Sequence, residues 1–209
     1  MIGNDLVDLH QARQESNWRR PRYLEKIFTR EEQQLIAAAG YPDTMVWLLW
    51  SCKEAAYKRW SSETHQRSFL PKKIAIKDFQ ETDDHNTSNV EGHLQQQGYT
   101  SWVQIADHRY FVQTTLIGDL IHSWTLSAEK KLLLHKVELL GQQDLSKATR
   151  SLLYGHLAQY FRWSPTDISI QKNEHGRPFI YYQNKKCKLS LSMTHHGRYG
   201  GFLLAEGEG

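Results

Sequence analysis

Residues 44–60 read TMVWLLWSCKEAAYKRW, and their spacing decides the fold. Leu48, Leu49, Cys52, Ala55, Ala56 and Trp60 fall on one apolar stripe at helical period. Trp47, Trp50 and Tyr57 widen that stripe almost to a full cylinder, which predicts a long helix at the centre of the molecule. Asp43 or Thr44 is the expected N-cap, and the helix is expected to end near Trp60. Glu54 and Lys58 stand four apart and share a face, in the favourable order. On an exposed surface such a pair contributes about 0.3–0.5 kcal/mol. Here Trp47, Trp50, Ser51 and Tyr57 lie on the side of Glu54, so the pair is expected to be partly buried. A carboxylate in that setting needs a partner that offsets its desolvation, either Lys58 or a cation.

Upstream, IGNDLVDL (2–9) reads as a short strand or strand end carrying Asp5 and Asp8, with Asp8 on the opposite side. The basic stretch 11–28 is broken by Pro21 into two short helical pieces. Thr29 and Glu32 form a capping box for a helix that Gly40 stops. Downstream, from Lys72 to Leu126, the period changes to two. Ile74 and Ile76 alternate with charges, ETDDHNTSN (81–89) is a polar loop, and residues 90–116 pair as strands about a turn at Ala106 to His108. DLIHSWTLSAE (119–129) supplies another strand. Residues 144–163 return to helical spacing and stop before Pro165, and the tail alternates again around turns at NEHGRP (173–178) and NKKCK (184–188). Helix and strand blocks thus occur twice. The expected fold is α+β, with two similar lobes at 1–130 and 131–209 and a ligand cleft between them.

Composition bounds the function. The 209 residues include seven Trp, ten Tyr and seven Phe, enough aromatic volume to build a core and to exclude disorder as the main state. Lys and Arg number 26 against 23 Asp and Glu, and a formal charge of +3 is too small for non-specific nucleic-acid binding, although a local anion site remains open. The densest apolar run, Met45 to Trp50, falls far short of the ~18 residues a membrane helix needs. The first ten residues carry carboxylates instead of a basic and then apolar segment, so a soluble cytoplasmic protein is expected. Cys52 and Cys187 have no disulfide-framework or zinc spacing. Phosphate-loop, dinucleotide, nucleophile-elbow and HExxH signatures are missing from the sequence.

The chemistry suggested by residue type lies in three places. Asp5 and Glu54 form a carboxylate pair from two elements, and with Lys58 beside them they make a plausible Mg²⁺ site for a pyrophosphate, since Mg²⁺ takes one or two carboxylates plus water and phosphate oxygens. In the tail, Ser192 and Thr194 share one side of a strand with His195 opposite, and together with Arg177 they suit phosphate recognition. The RRPR cluster, Arg19 to Arg22, is either a solvated surface or a docking patch for an acidic partner.

Five blocks, IGNDLVDL (2–9), YLEKIFTREE (23–32), WSCKEAAYK (50–58), GRP (176–178) and SLSMTHHGRYG (190–200), together resemble the 4′-phosphopantetheinyl transferase superfamily. The resemblance implies a pseudo-twofold α+β fold and Mg²⁺-dependent transfer of the 4′-phosphopantetheine group of coenzyme A to a serine of an apo-carrier protein, releasing adenosine 3′,5′-bisphosphate. It implies metal ligation by Asp5 and Glu54, and catalytic roles for Glu54, Lys58 and His195. Lys53, Lys58, Arg177, Ser192, Thr194 and His195 would bind coenzyme A. The general base is Glu54 or a metal-bound water. The motif order is that of the short holo-acyl-carrier-protein synthases, which are one lobe long and trimeric. Two lobes in one chain imply a monomer with an intramolecular site. Larger relatives commonly carry a third acidic ligand where this chain has Val7, leaving water or Asp8 to complete the shell. The implied partner is an acidic acyl or peptidyl carrier, docking on Arg13, Arg19, Arg20 or Arg22, with no nucleic acid and no membrane. The alternative is a non-catalytic relative that binds coenzyme A or carrier.

Overall fold

The structure, a computed structural model, describes residues 1–82, 96–141, 144–174 and 176–207. It is α+β. Strand β1 (Ile2–Asp8) is buried along its whole length. Two short helices, α1 (Leu9–Glu15) and α2 (Tyr23–Ile27), follow on either side of Pro21. Helix α3 (Arg30–Ala38) opens with the Thr29–Glu32 capping box in both directions.

The central helix α4 (Pro42–Thr64) runs farther than the sequence spacing suggested, ending past Trp60 at His65. Asp43 does not cap it. Pro42 occupies the first turn, where a missing N–H costs nothing. The Asp43 carboxylate instead accepts from Trp18 Nε1 at 2.6 Å and from the Arg19 guanidinium, pinning the segment after α1 to the start of α4.

Strands β2 (Ile74–Thr82), β3 (Gln96–Ile105), β4 (His108–Ile117) and β5 (Leu120–Leu126) complete an antiparallel sheet of order β1-β5-β4-β3-β2. Glu81 and Thr82 of the expected polar loop belong to β2, and residues 83–95 lie outside the described residues. The expected β3–β4 turn forms with Ala106 at φ 50. Leu48, Leu49, Cys52, Ala55 and Ala56 of α4 pack on Val103, Val112 and Ile121 of this sheet. At Gly3 the two backbones meet, for a Cβ there would stand 2.2 Å from the Ala55 carbonyl oxygen. Glycine lets β1 lie directly on α4, and this closeness brings Asp5 to Glu54.

The second half has the order β6 (Leu132–Leu139), α5 (Leu145–Phe161), β7 (Ile168–Lys172), β8 (Pro178–Tyr182), β9 (Lys185–Lys186), β10 (Leu189–His196) and β11 (Tyr199–Glu206), and its strands form two three-stranded sheets, β10-β11-β6 and β7-β8-β9. In each half a leading strand precedes a long helix, and the last strand returns to pair with the leading one, β5 with β1 and β11 with β6. Leu153 and Leu157 of α5 pack with Ile180, Phe202 and Leu204 in a separate core. Strand β10 lies beside β1 in another sheet. Side-chain bonds join Asn4 to Ser192 and Asp8 to His196 at the same sequence offset of 188, so the two strands run parallel.

Candidate active site

Two adjoining chambers, of ≈ 310 Å³ and ≈ 520 Å³, line the seam between α4, β1 and β10, and both are bordered by Lys58, Met193 and His195. Their charges are opposite. The first is walled by His65, Arg150, Lys172 and Arg177 with no carboxylate, and the second by Asp5, Glu54 and Glu15 among Trp47, Trp50 and Tyr23.

At the junction, Lys58 Nζ donates to Asp5 Oδ1 at 2.8 Å, to the Asn4 carbonyl at 2.9 Å and to Thr194 Oγ1 at 3.5 Å. One ammonium therefore ties the leading strand, the central helix and the tail together. Glu54 makes no hydrogen bond or ion pair among the described residues. Burial first, and the Asp5 carboxylate second, push its carboxyl up to about 7. Two carboxylates facing each other with one lysine between them leave a deficit of positive charge. Oxygen-only donors suit a hard cation such as Mg²⁺, which takes one or two carboxylates and keeps positions for water and phosphate. Asp5 and Glu54 thus fit the ion. Val7 is core, and both Asp8 oxygens are occupied elsewhere, so neither completes the set.

His195 is exposed at the junction, while Ser192 and Thr194 turn toward β1, as strand alternation predicts. Ser192 lines the first chamber, and its hydroxyl accepts the Asn4 N–H at 3.2 Å and donates to Asn4 Oδ1 at 2.7 Å, joining the two strands. Arg177 lines the first chamber with its guanidinium 4.8 Å from the Phe179 ring.

Lys53 is a correction. Expected with Lys58 on the cofactor, it is fully buried, with Nζ 2.7 Å from Glu32 Oε2 and donating to the carbonyls of Ile27 and Pro71. Neighbours on a helix diverge by about 100°; with Glu54 in the cleft, Lys53 points into the packing against α3. The four candidate docking arginines are all exposed: Arg13 lies near Asp119, Arg19 pairs with Asp43, Arg22 lies near Glu25 and Arg20 sits over the Tyr23 ring. Sequence reasoning missed Arg150 and Lys172. Each is one cation on an amphipathic element, and only the packing of α5 and β7 around the chamber marks it.

Cations along one chamber and a carboxylate pair in the other are residue types suited to phosphate and metal recognition. Residues 1–127 match the family model ACPS, 4′-phosphopantetheinyl transferase superfamily, and the chain belongs to that superfamily. The match covers Asp5, Glu54 and Lys58, whereas Arg177 and His195 lie beyond it and are placed by geometry. No curated protein matches the chain. Among the described residues, no helix is long and apolar enough to cross a membrane.

Proposed function

We propose that the protein transfers the 4′-phosphopantetheine arm of coenzyme A to a serine of an acidic acyl or peptidyl carrier protein, as a cytoplasmic monomer. The observation that carries this reading is Lys58, which borders both chambers and joins the cations of one to the Asp5 and Glu54 carboxylates of the other. The cationic chamber suits the nucleotide phosphates of coenzyme A, held by Arg177, Arg150 and Lys172. Asp5 and Glu54 would hold Mg²⁺, which when bound supplies charge neutralisation on the pyrophosphate.

Lys58 then faces the transferred phosphoryl oxygens, and His195 donates to an oxygen on the other side of the junction. The carrier serine oxygen attacks the phosphorus that bears the pantetheine arm, and the bond to adenosine 3′,5′-bisphosphate breaks. The serine proton passes to Glu54. Little covalent work falls to the protein, so positioning and charge complementarity carry the rate. Incubation with coenzyme A, Mg²⁺ and a panel of apo-carriers should add one phosphopantetheine to a carrier by mass spectrometry. Coenzyme A binding without any mass gain, insensitive to chelation, would overturn the catalytic reading.

A further inference from the structure

The turn between β10 and β11 is built on the carboxylate of Asp8. That carboxylate is fully buried. Arg198 donates its backbone N–H at 3.1 Å and Nε at 2.8 Å to Oδ2, and Nη2 at 2.9 Å to Oδ1, while the His10 N–H reaches Oδ1 at 3.0 Å. A carboxylate offers about four acceptor positions, and these four N–H groups use them. Gly197 sits on the same group at φ 58, where a Cβ would come within 2.5 Å of Oδ2, so only glycine lets the turn settle this closely. The Asp8 N–H donates to His196 Nδ1 at 3.0 Å, which leaves the neutral His196 proton on Nε2, 3.4 Å from Glu15.

These contacts matter because β1 and β10 belong to different sheets. No backbone ladder fixes how the strands slide past each other. The register is set by side chains: Asn4 with Ser192, Lys58 between Asp5 and Thr194, and, at the end of the strands, Asp8 with the turn. A slip of one residue would exchange strand faces and put Thr194 or His196 where His195 stands. We infer that Asp8 is a positioning residue: it anchors the β10–β11 turn so that His195 faces the junction, and it is not a metal ligand. The inference rests on the cleft being the transfer site.

The test uses the full chain with Asp8→Asn, Arg198→Gln and the double variant. Displacing a site group by about 1 Å can cost up to roughly a hundredfold, so Asp8→Asn should raise the KM for coenzyme A about tenfold or more. The half-saturating Mg²⁺ concentration and the KM for the carrier should not change. Arg198→Gln should act in the same direction, and the double variant should be no worse than Asp8→Asn alone, because both act through one contact. A raised Mg²⁺ requirement would make Asp8 a ligand and overturn the inference. A lowered melting temperature with unchanged kinetics would reduce it to plain stability and also overturn it. Hydrogen exchange on the substrate-free protein gives an independent readout: in Asp8→Asn, protection should fall at residues 195–200 and persist in α4. If exchange behaves so while the wild type modifies no carrier, the function has failed and the anchor stands. If the wild type transfers and exchange at the turn is unaltered, the anchor has failed.

Discussion

Glu54 lies beside Asp5 in a partly buried crevice, and Lys58 is already bonded to Asp5. Its folded-state pKa, raised from 4.5 to about 7, means that the folded protein binds the proton more tightly than the unfolded chain does. Stability is therefore expected to fall as pH rises through that window, by an upper bound of roughly 3 kcal/mol. Glu54→Gln removes the titration. In metal-free urea denaturation, the variant should gain on the wild type between about pH 5 and about pH 8. Added Mg²⁺ should stabilise the wild type at the upper pH and leave the variant unmoved. That Glu54 and Lys58 share a partly buried face was legible from helical spacing and four flanking aromatic or small residues, whereas the choice of Asp5 as the partner of Lys58 was not. Lys53 was not, since spacing says that it points elsewhere and cannot say that Glu32 waits there.

Helix α4 is held at both ends of its middle turn. On one side Gly3 lets β1 touch its backbone, and on the other Lys53 and Glu32 form an ion pair with no exposure, supported by the Ile76 N–H on Glu32 Oε1 at 2.8 Å. Removing one partner of a buried pair typically costs about 3–5 kcal/mol, because the survivor keeps an uncompensated charge. Lys53→Met is expected to lower stability by that order in denaturation. The KM for coenzyme A of the folded fraction should stay unchanged, an outcome that separates a packing role from a ligand role. The Thr29–Glu32 box was legible as a helix start, yet only half of Glu32's bonding is local. The same limit explains Asp43, a good cap by residue type that tertiary contact with Trp18 and Arg19 drew away. Strand β6 went unseen because Leu132, Leu133 and Leu134 are consecutive, which blurs the period of two.

The halves meet where His122 of β5 lies against His135 of β6, ring nitrogens 3.0 Å apart. Burial first, and His135 second, hold His122 well below the usual imidazole range, and burial does the same to His135. A histidine whose folded pKa is depressed gives stability that is present above about pH 6.5 and lost as pH falls, because the unfolded chain takes up the proton. Measured in the Glu54→Gln background, which silences the opposing titration, the melting temperature should drop on acidification. His122→Phe should flatten that drop. The two-part architecture was legible in the alternation of helical and strand periods, whereas the contact between the parts was not, since no local spacing pairs β5 with β6. One consequence follows from β1, which is hydrogen-bonded into the first sheet and pinned by Asn4 and Asp8 to the tail. Hinged opening of the two halves would break the Asn4–Ser192 and Lys58–Thr194 bonds and unseat the turn in the same motion. The two halves are therefore expected to stay together when a ligand binds, with the overall dimensions of the molecule in solution unaltered.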